Sequence, residues 1–165
     1  MLLLHGKVRR IIAIVGAVLS VGLILLFTIH GRLGISNRKI SLIPFITFAN
    51  AKTQPEFYRT MYMNMLLFLP FGLSMPFVIQ KTMWYTILVT ILLASGLSIC
   101  IEIVQYVFSM GKCEVDDVIM NTFGVIIGST SFMLYCLIYR INKIDYKIKN
   151  KKRNINETVA YKIFI

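Results

Sequence analysis

Apolar residues occur along this chain in runs longer than a globular core requires. Residues 11–29 form a stretch of 19 without a charge, and a helix rising ~1.5 Å per residue over that length covers roughly the ~30 Å hydrocarbon core of a bilayer. A second run, about residues 61–80, is interrupted by Pro70, Gly72 and Pro76, which remove backbone donors and loosen packing, and it is predicted to be a kinked helix. A third, about residues 85–108, is uncharged except for Glu102; a fourth, about residues 118–139, carries Asn121, Gly124 and Gly128. The short connections at 81–84 and 109–117 imply antiparallel neighbours. The predicted fold is all-α: a polytopic membrane protein of about four transmembrane helices in an antiparallel bundle. Between the first two spans, residues 41–48 read Ser-Leu-Ile-Pro-Phe-Ile-Thr-Phe. This proline-broken piece is too short to cross and is predicted to lie at the interface or to re-enter the bundle.

Composition supports lipid as the solvent. With 57% hydrophobic and 15% charged residues and a mean hydropathy of +0.74, the chain is too apolar for an ordinary soluble domain. The net charge of +11 does not indicate a nucleic-acid partner, because its basic residues lie in flanks and tail rather than on a folded face. The basic stretch before the first run resembles the start of a secretory signal, but the apolar stretch exceeds the usual ~7–15 residues and no small-x-small site follows, so a retained span is expected. With both termini inside, 12 of the 18 Lys and Arg fall on the cytoplasmic side and 6 outside, namely Arg32, Arg38, Lys39, Lys52, Arg59 and Lys112. That bias follows the positive-inside rule. The expected organisation is a cytoplasmic basic N-terminus (1–10), a transmembrane domain (11–139) and a basic cytoplasmic tail (140–165). The tail is read either as adhering to anionic lipid or as solvated and partly disordered. Cys100, Cys113 and Cys136 have no CxxC spacing, which indicates neither a zinc site nor a disulfide framework.

The informative residues are the polar ones inside the runs. A carboxylate at membrane depth is costly and usually marks a functional place, and Glu102 shares a helical face with Gln105 and Tyr106. Asp117, Asn121, Gly124 and Gly128 trace one face of the fourth helix, where the glycines permit close approach. Asn64 lies near the start of the second. If the third span runs outward and its neighbours inward, Asn64, Glu102, Gln105, Asp116, Asp117 and Asn121 all meet near one membrane level, with Glu102 roughly 9 Å below its helix exit at ~1.5 Å per residue. Four of the seven acidic residues lie between Glu102 and Asp117. An outward-facing acidic pocket is expected. The plainer uses of the same residues are N-terminal capping by Asp116 or Asp117 and interhelical gluing by Asn64 or Asn121.

These residues resemble the VanZ family of bacterial membrane proteins. Leu-Ile-Pro-Phe at 42–45 is similar to its loop motif, and Asn64-x5-Pro70-Phe71-Gly72 to its Asn-x-x-x-Phe-x-Pro-x-Gly segment. Glu102-x-x-Gln105 matches its Glu-x-x-Gln pair. Glu114-Val115-Asp116-Asp117-Val118-x-x-Asn121-Thr122-x-Gly124-x-x-x-Gly128 resembles its acidic run. The chain departs at Lys112 and Glu114, where the family often has Arg and Asp. Lys keeps the charge without the bidentate fork. The resemblance implies a cell-membrane protein associated with resistance to lipid-tailed glycopeptides such as teicoplanin, with Pro70, Gly72, Gly124 and Gly128 in helix packing. Its expected partners are membrane lipids, together with a glycopeptide or a cell-wall precursor. The alternative is a membrane-embedded enzyme acting on a lipid-linked or envelope substrate through Glu102 and Asp117, as general base or as ligands of a divalent cation. No other cofactor is expected, and no residue is assigned a catalytic role. Neither a pocket histidine nor a Ser-His or Cys-His arrangement is present to activate a nucleophile, since His5 and His30 flank the first span. A transporter would show an internal inverted repeat, and none is evident.

Overall fold

Seven helical or extended stretches make up the described fold, and a computed structural model describes residues 6–29, 37–51 and 56–163. His5 and His30, with the loop cations Arg32 and Lys52, lie outside the described residues. In chain order the elements are α1 (Gly6–Thr28), β1 (Asn37–Ser41), α2 (Ile46–Ala51), α3 (Glu56–Ile79), α4 (Met83–Val107), β2 (Met110–Glu114) and α5 (Val115–Ile163). Of these, α1, α3, α4 and α5 are long and apolar enough to cross a membrane. The all-α bundle of four spanning helices is the architecture observed.

The first compact unit ends at Phe132. Its centre is a small cluster of Ile24, Phe68, Phe71, Ala94, Ile101 and Val125. Large apolar side chains such as Leu19, Leu66, Leu92 and Phe123 instead face outward, as expected where hydrocarbon rather than water is the surrounding medium. The inward face of α4 is largely polar: Thr86, Thr90, Ser98, Glu102 and Gln105 are all buried.

Packing between α3 and α5 depends on having no side chain at the contact. A Cβ on Gly124 would stand 2.0 Å from the Met65 carbonyl oxygen, one on Gly128 2.4 Å from that of Leu69, and one on Gly72 2.4 Å from that of Val125. The contacts climb both helices together, so α3 and α5 run parallel. Despite Pro70 and Pro76, α3 is one uninterrupted helix. Pro76 lacks the N–H that would bond the Gly72 carbonyl, and that carbonyl accepts a long bond of 3.4 Å from Ser129 Oγ instead. Ser74 Oγ donates to Pro70 O at 2.7 Å in the same stretch.

Two features depart from the expectation. The 109–117 connection is not a plain loop, because Met110–Glu114 pairs in parallel with Asn37–Ser41, running from Asn37 opposite Met110 to Ser41 opposite Glu114. The residues that follow β1 turn sharply at Phe45, whose φ is +64°, and lead into the short α2. The proline-broken segment is therefore split between a strand end, a turn and a helix. The fourth span begins at Val115 and its helix continues past Tyr139 to Ile163. No Pro or Gly follows Gly128, so nothing in the backbone stops it. The second unit, from Met133 onward, is thus helical rather than disordered where described. Within it Tyr135 and Tyr139 stack at 6.3 Å between centroids, and Lys149 pairs with Asp145 at 2.9 Å.

Candidate functional site

The end of α4 and the start of α5 are antiparallel neighbours, and their polar side chains interlock along the seam. Ser95 and Thr122 share a hydrogen bond of 3.1 Å. One turn along, Asn121 Nδ2 donates to Ser98 Oγ at 2.8 Å. A further turn brings Glu102, 4% exposed, beneath β2, where its Oε2 accepts from the Glu114 backbone N–H at 2.9 Å. Gln105, 1% exposed, reaches the other way: its Nε2 donates to the Thr28 carbonyl at the end of α1, 2.8 Å away.

On α5 the two aspartates of the first turn are both buried. Asp116 Oδ1 accepts from the Phe45 N–H at 2.5 Å. The left-handed backbone at Phe45 is unfavourable for a residue with a Cβ by about 1 kcal/mol, and this charge-assisted bond offsets it. Glu102 and Asp116 therefore tie β2 and the turn after β1 to the helix ends. The strand pair sits over the site as a consequence.

Cys113 on β2 is the residue that sequence reasoning set aside. Its thiol pKa is pushed above the ordinary 9.0, first by burial, then by the Glu102 carboxylate, with which it also hydrogen-bonds, and by Asp117 and Glu114. A protonated thiol donating to Glu102 is the stable form at neutral pH, and it is a poor nucleophile. Lys112 approaches Glu114 at 3.9 Å with much of its side chain exposed, a loose pair of small energetic weight.

Five of the six expected site residues, Glu102, Gln105, Asp116, Asp117 and Asn121, therefore gather at one end of the α4–α5 seam. Asn64 stands apart on α3, lining a cavity of about 490 Å³ with Phe27, Thr28, Met63, Leu66 and Leu67. The Gln105 bond to Thr28 links the two places. Among the described residues no three His, Cys, Asp or Glu side chains are grouped to hold a metal ion. Ser98, one turn from Glu102, and the Phe45 amide were missed. The first was detectable as a polar residue at helical spacing from Glu102, whereas the second depends on a turn joining positions 71 residues apart.

Glycines 72, 124 and 128 at the α3–α5 contact, and the acidic pair heading α5, lie in the region covered by the VanZ/LLP1 family profile, which matches residues 11–139. The chain belongs to the VanZ/LLP1 family. It is a VanZ-like, multi-pass membrane protein. It is similar to Protein VanZ of Enterococcus faecium, 31% identical over 91 residues, which is 55% of this chain and 50% of that protein. The alignment thus spans about half the length of the VanZ relative. No solved structure matches the chain.

Proposed function

We propose that this VanZ-like protein contributes to resistance to lipid-tailed glycopeptides such as teicoplanin, by reducing drug engagement at the outer face of the membrane. The observation that carries the reading is the buried polar cluster of Glu102, Gln105, Asp117 and Asn121 at one end of the bundle, beside a largely apolar cavity lined by Asn64. A buried polar cluster next to an apolar cavity suits a molecule that joins a polar cup to an acyl anchor, with the anchor in the cavity and the cup toward the polar end. The excess of cationic residues in the segments expected to be cytoplasmic, 12 against 6, supports an outward-facing cluster through the positive-inside rule.

The enzyme alternative draws less support. Glu102 and Asp116 already accept backbone N–H groups, and the neighbouring thiol is held protonated. A susceptibility panel tests the proposal: cells carrying the gene should need at least about fourfold more teicoplanin than cells without it, with vancomycin changed far less, a shift that corresponds to under ~1 kcal/mol of effective drug binding. An unchanged panel together with altered envelope lipids would favour the enzyme instead.

A further inference from the structure

We propose that the cavity between α1 and α3 holds the acyl chain of a membrane amphiphile, with Asn64 donating a hydrogen bond to the carbonyl at the head of that chain. This deepens the glycopeptide reading, on which its drug arm rests, by naming the ligand chemistry the recess takes.

Three observations point there. The cavity, about 490 Å³, is walled by Phe27, Met63, Leu66 and Leu67, and Phe27, Met63 and Leu66 are 62%, 51% and 40% exposed. Its mouth is therefore continuous with the surface that hydrocarbon covers, so an occupant arrives sideways from the bilayer. The second observation is chemical. Asn64 Nδ2 is buried without a hydrogen-bond partner, and an amide donor in an apolar wall is relieved only by an acceptor. A bare hydrocarbon chain supplies none, whereas an ester or amide carbonyl does. The third is depth. Tyr58 and Tyr62 are exposed on the same helix, and exposed tyrosines near a span end favour the headgroup level. Asn64 lies two and six residues further in, roughly 3–9 Å at ~1.5 Å per residue, which is where an acyl carbonyl sits just beneath the headgroups.

A second cavity at the other end of the α1–α3 contact, about 390 Å³ and lined by Ile12, Ala13, Gly16, Leu73, Ser74, Phe77 and Ser131, gives the contrast. Its hydroxyls are spent within their own helices, Ser74 on Pro70 O and Ser131 on Gly128 O. It lacks the unused donor and should not select a head group.

The shared chemistry, an acyl chain headed by a carbonyl, is offered both by bilayer phospholipid and by a lipid-tailed glycopeptide. The test uses the full chain in phosphatidylcholine nanodiscs and two photoprobes with a mid-chain diazirine, a palmitoyl amide and a plain hexadecyl hydrocarbon. Labelling sites are mapped by mass spectrometry. The amide probe should label the α1–α3 cavity in preference to the outer face of α4 at Leu88 and Leu92. Met63→Trp, which fills the recess, should abolish that preference, and Leu73→Trp in the second cavity should not. Asn64→Leu should weaken amide-probe labelling by about threefold to tenfold, the loss of one hydrogen bond, and leave the hydrocarbon probe unchanged. Competition then identifies the source: displacement by phosphatidylglycerol assigns the bilayer, and displacement by teicoplanin but not by tailless vancomycin assigns the drug. Labelling spread evenly over all lipid-facing helices, or unaffected by both Met63→Trp and Asn64→Leu, overturns the proposal. A cavity that labels as described in a protein without effect on teicoplanin susceptibility overturns the resistance reading and leaves the acyl site standing.

Discussion

Glu102 shows what allows a carboxylate to stay at membrane depth: it faces inward, accepts the Glu114 N–H and takes the Cys113 thiol as a donor. Glu102→Gln keeps an acceptor oxygen and the shape but removes the charge. Glu102→Leu also leaves the Glu114 amide unpaired, at about 1–3 kcal/mol. If the charge is needed for function, both variants lose the susceptibility phenotype, while only the Leu variant loses thermal stability in detergent. Full activity in the Gln variant would reduce Glu102 to a structural clamp. Cys113 provides an internal check on whether the charge has gone. Its pKa is raised in the folded protein, so the thiolate is scarce at neutral pH and increases as pH climbs above the ordinary 9.0. Removing the carboxylate lowers that pKa, and each unit is tenfold in thiolate. Maleimide alkylation of Cys113 at pH 7.5, with Cys100 and Cys136 replaced by Ala, should therefore speed up by at least about threefold in Glu102→Gln; an unchanged rate would mean that carboxylate and thiol do not interact.

At the level of elements, the four spans were legible because lipid imposes a length and a hydropathy that no local detail overrides, and the α3–α5 glycines were legible as a one-face spacing. The strands were not. Asn-Arg-Lys-Ile-Ser and Met-Gly-Lys-Cys-Glu lack the alternation of a half-buried strand, and each is only five residues long. What pairs them is the placing of the helix ends that flank them, which no window of sequence reports. The run of α5 past Tyr139 was obscured for a different reason: charge marks where lipid ends, and the helix does not end there. The glycine contact gives a graded test. Gly124→Ala would put a Cβ 2.0 Å from Met65 O, a backbone atom that cannot swing aside, and should destabilise by about 1–3 kcal/mol through overpacking. At Gly22 a Cβ meets nothing within 4 Å, and Gly22→Ala should be neutral or stabilising by up to ~1 kcal/mol, since alanine is the better helix former. Thermal-shift measurements in one detergent compare them directly, and equal melting temperatures would contradict the packing described.

For the molecule as a whole, the positive-inside bias predicts that the acidic cluster faces outward. In a background without native cysteines, Lys112→Cys at the exposed position of β2 and Lys147→Cys on α5 should react differently with an impermeant thiol reagent in whole cells. Lys112 is the better reporter than its neighbour Gly111, which is buried with φ +127° and tolerates a side chain poorly. Only the cysteine at 112 should label if the acidic cluster opens outward; labelling at 147 alone inverts the orientation and removes the route by which an extracellular drug reaches it.

The bond from Phe45 to Asp116 also sets an order in time. Its partners are 71 residues apart, and the β1–β2 pairing is as distant, so neither forms until α3, α4 and β2 have left the ribosome and the two spans between are in place. The segment from β1 to α2 emerges early and waits. A nascent chain arrested before Met110 should be clipped by trypsin after Lys39 on whichever membrane face carries it, and the finished chain should resist, since strand pairing protects the backbone. Equal cleavage of both would show that the segment never depended on its late partner. The site is closed by a piece of chain made well before its partners, and a protein stalled before Met110 has α1, α3 and α4 without a complete cluster to offer a ligand.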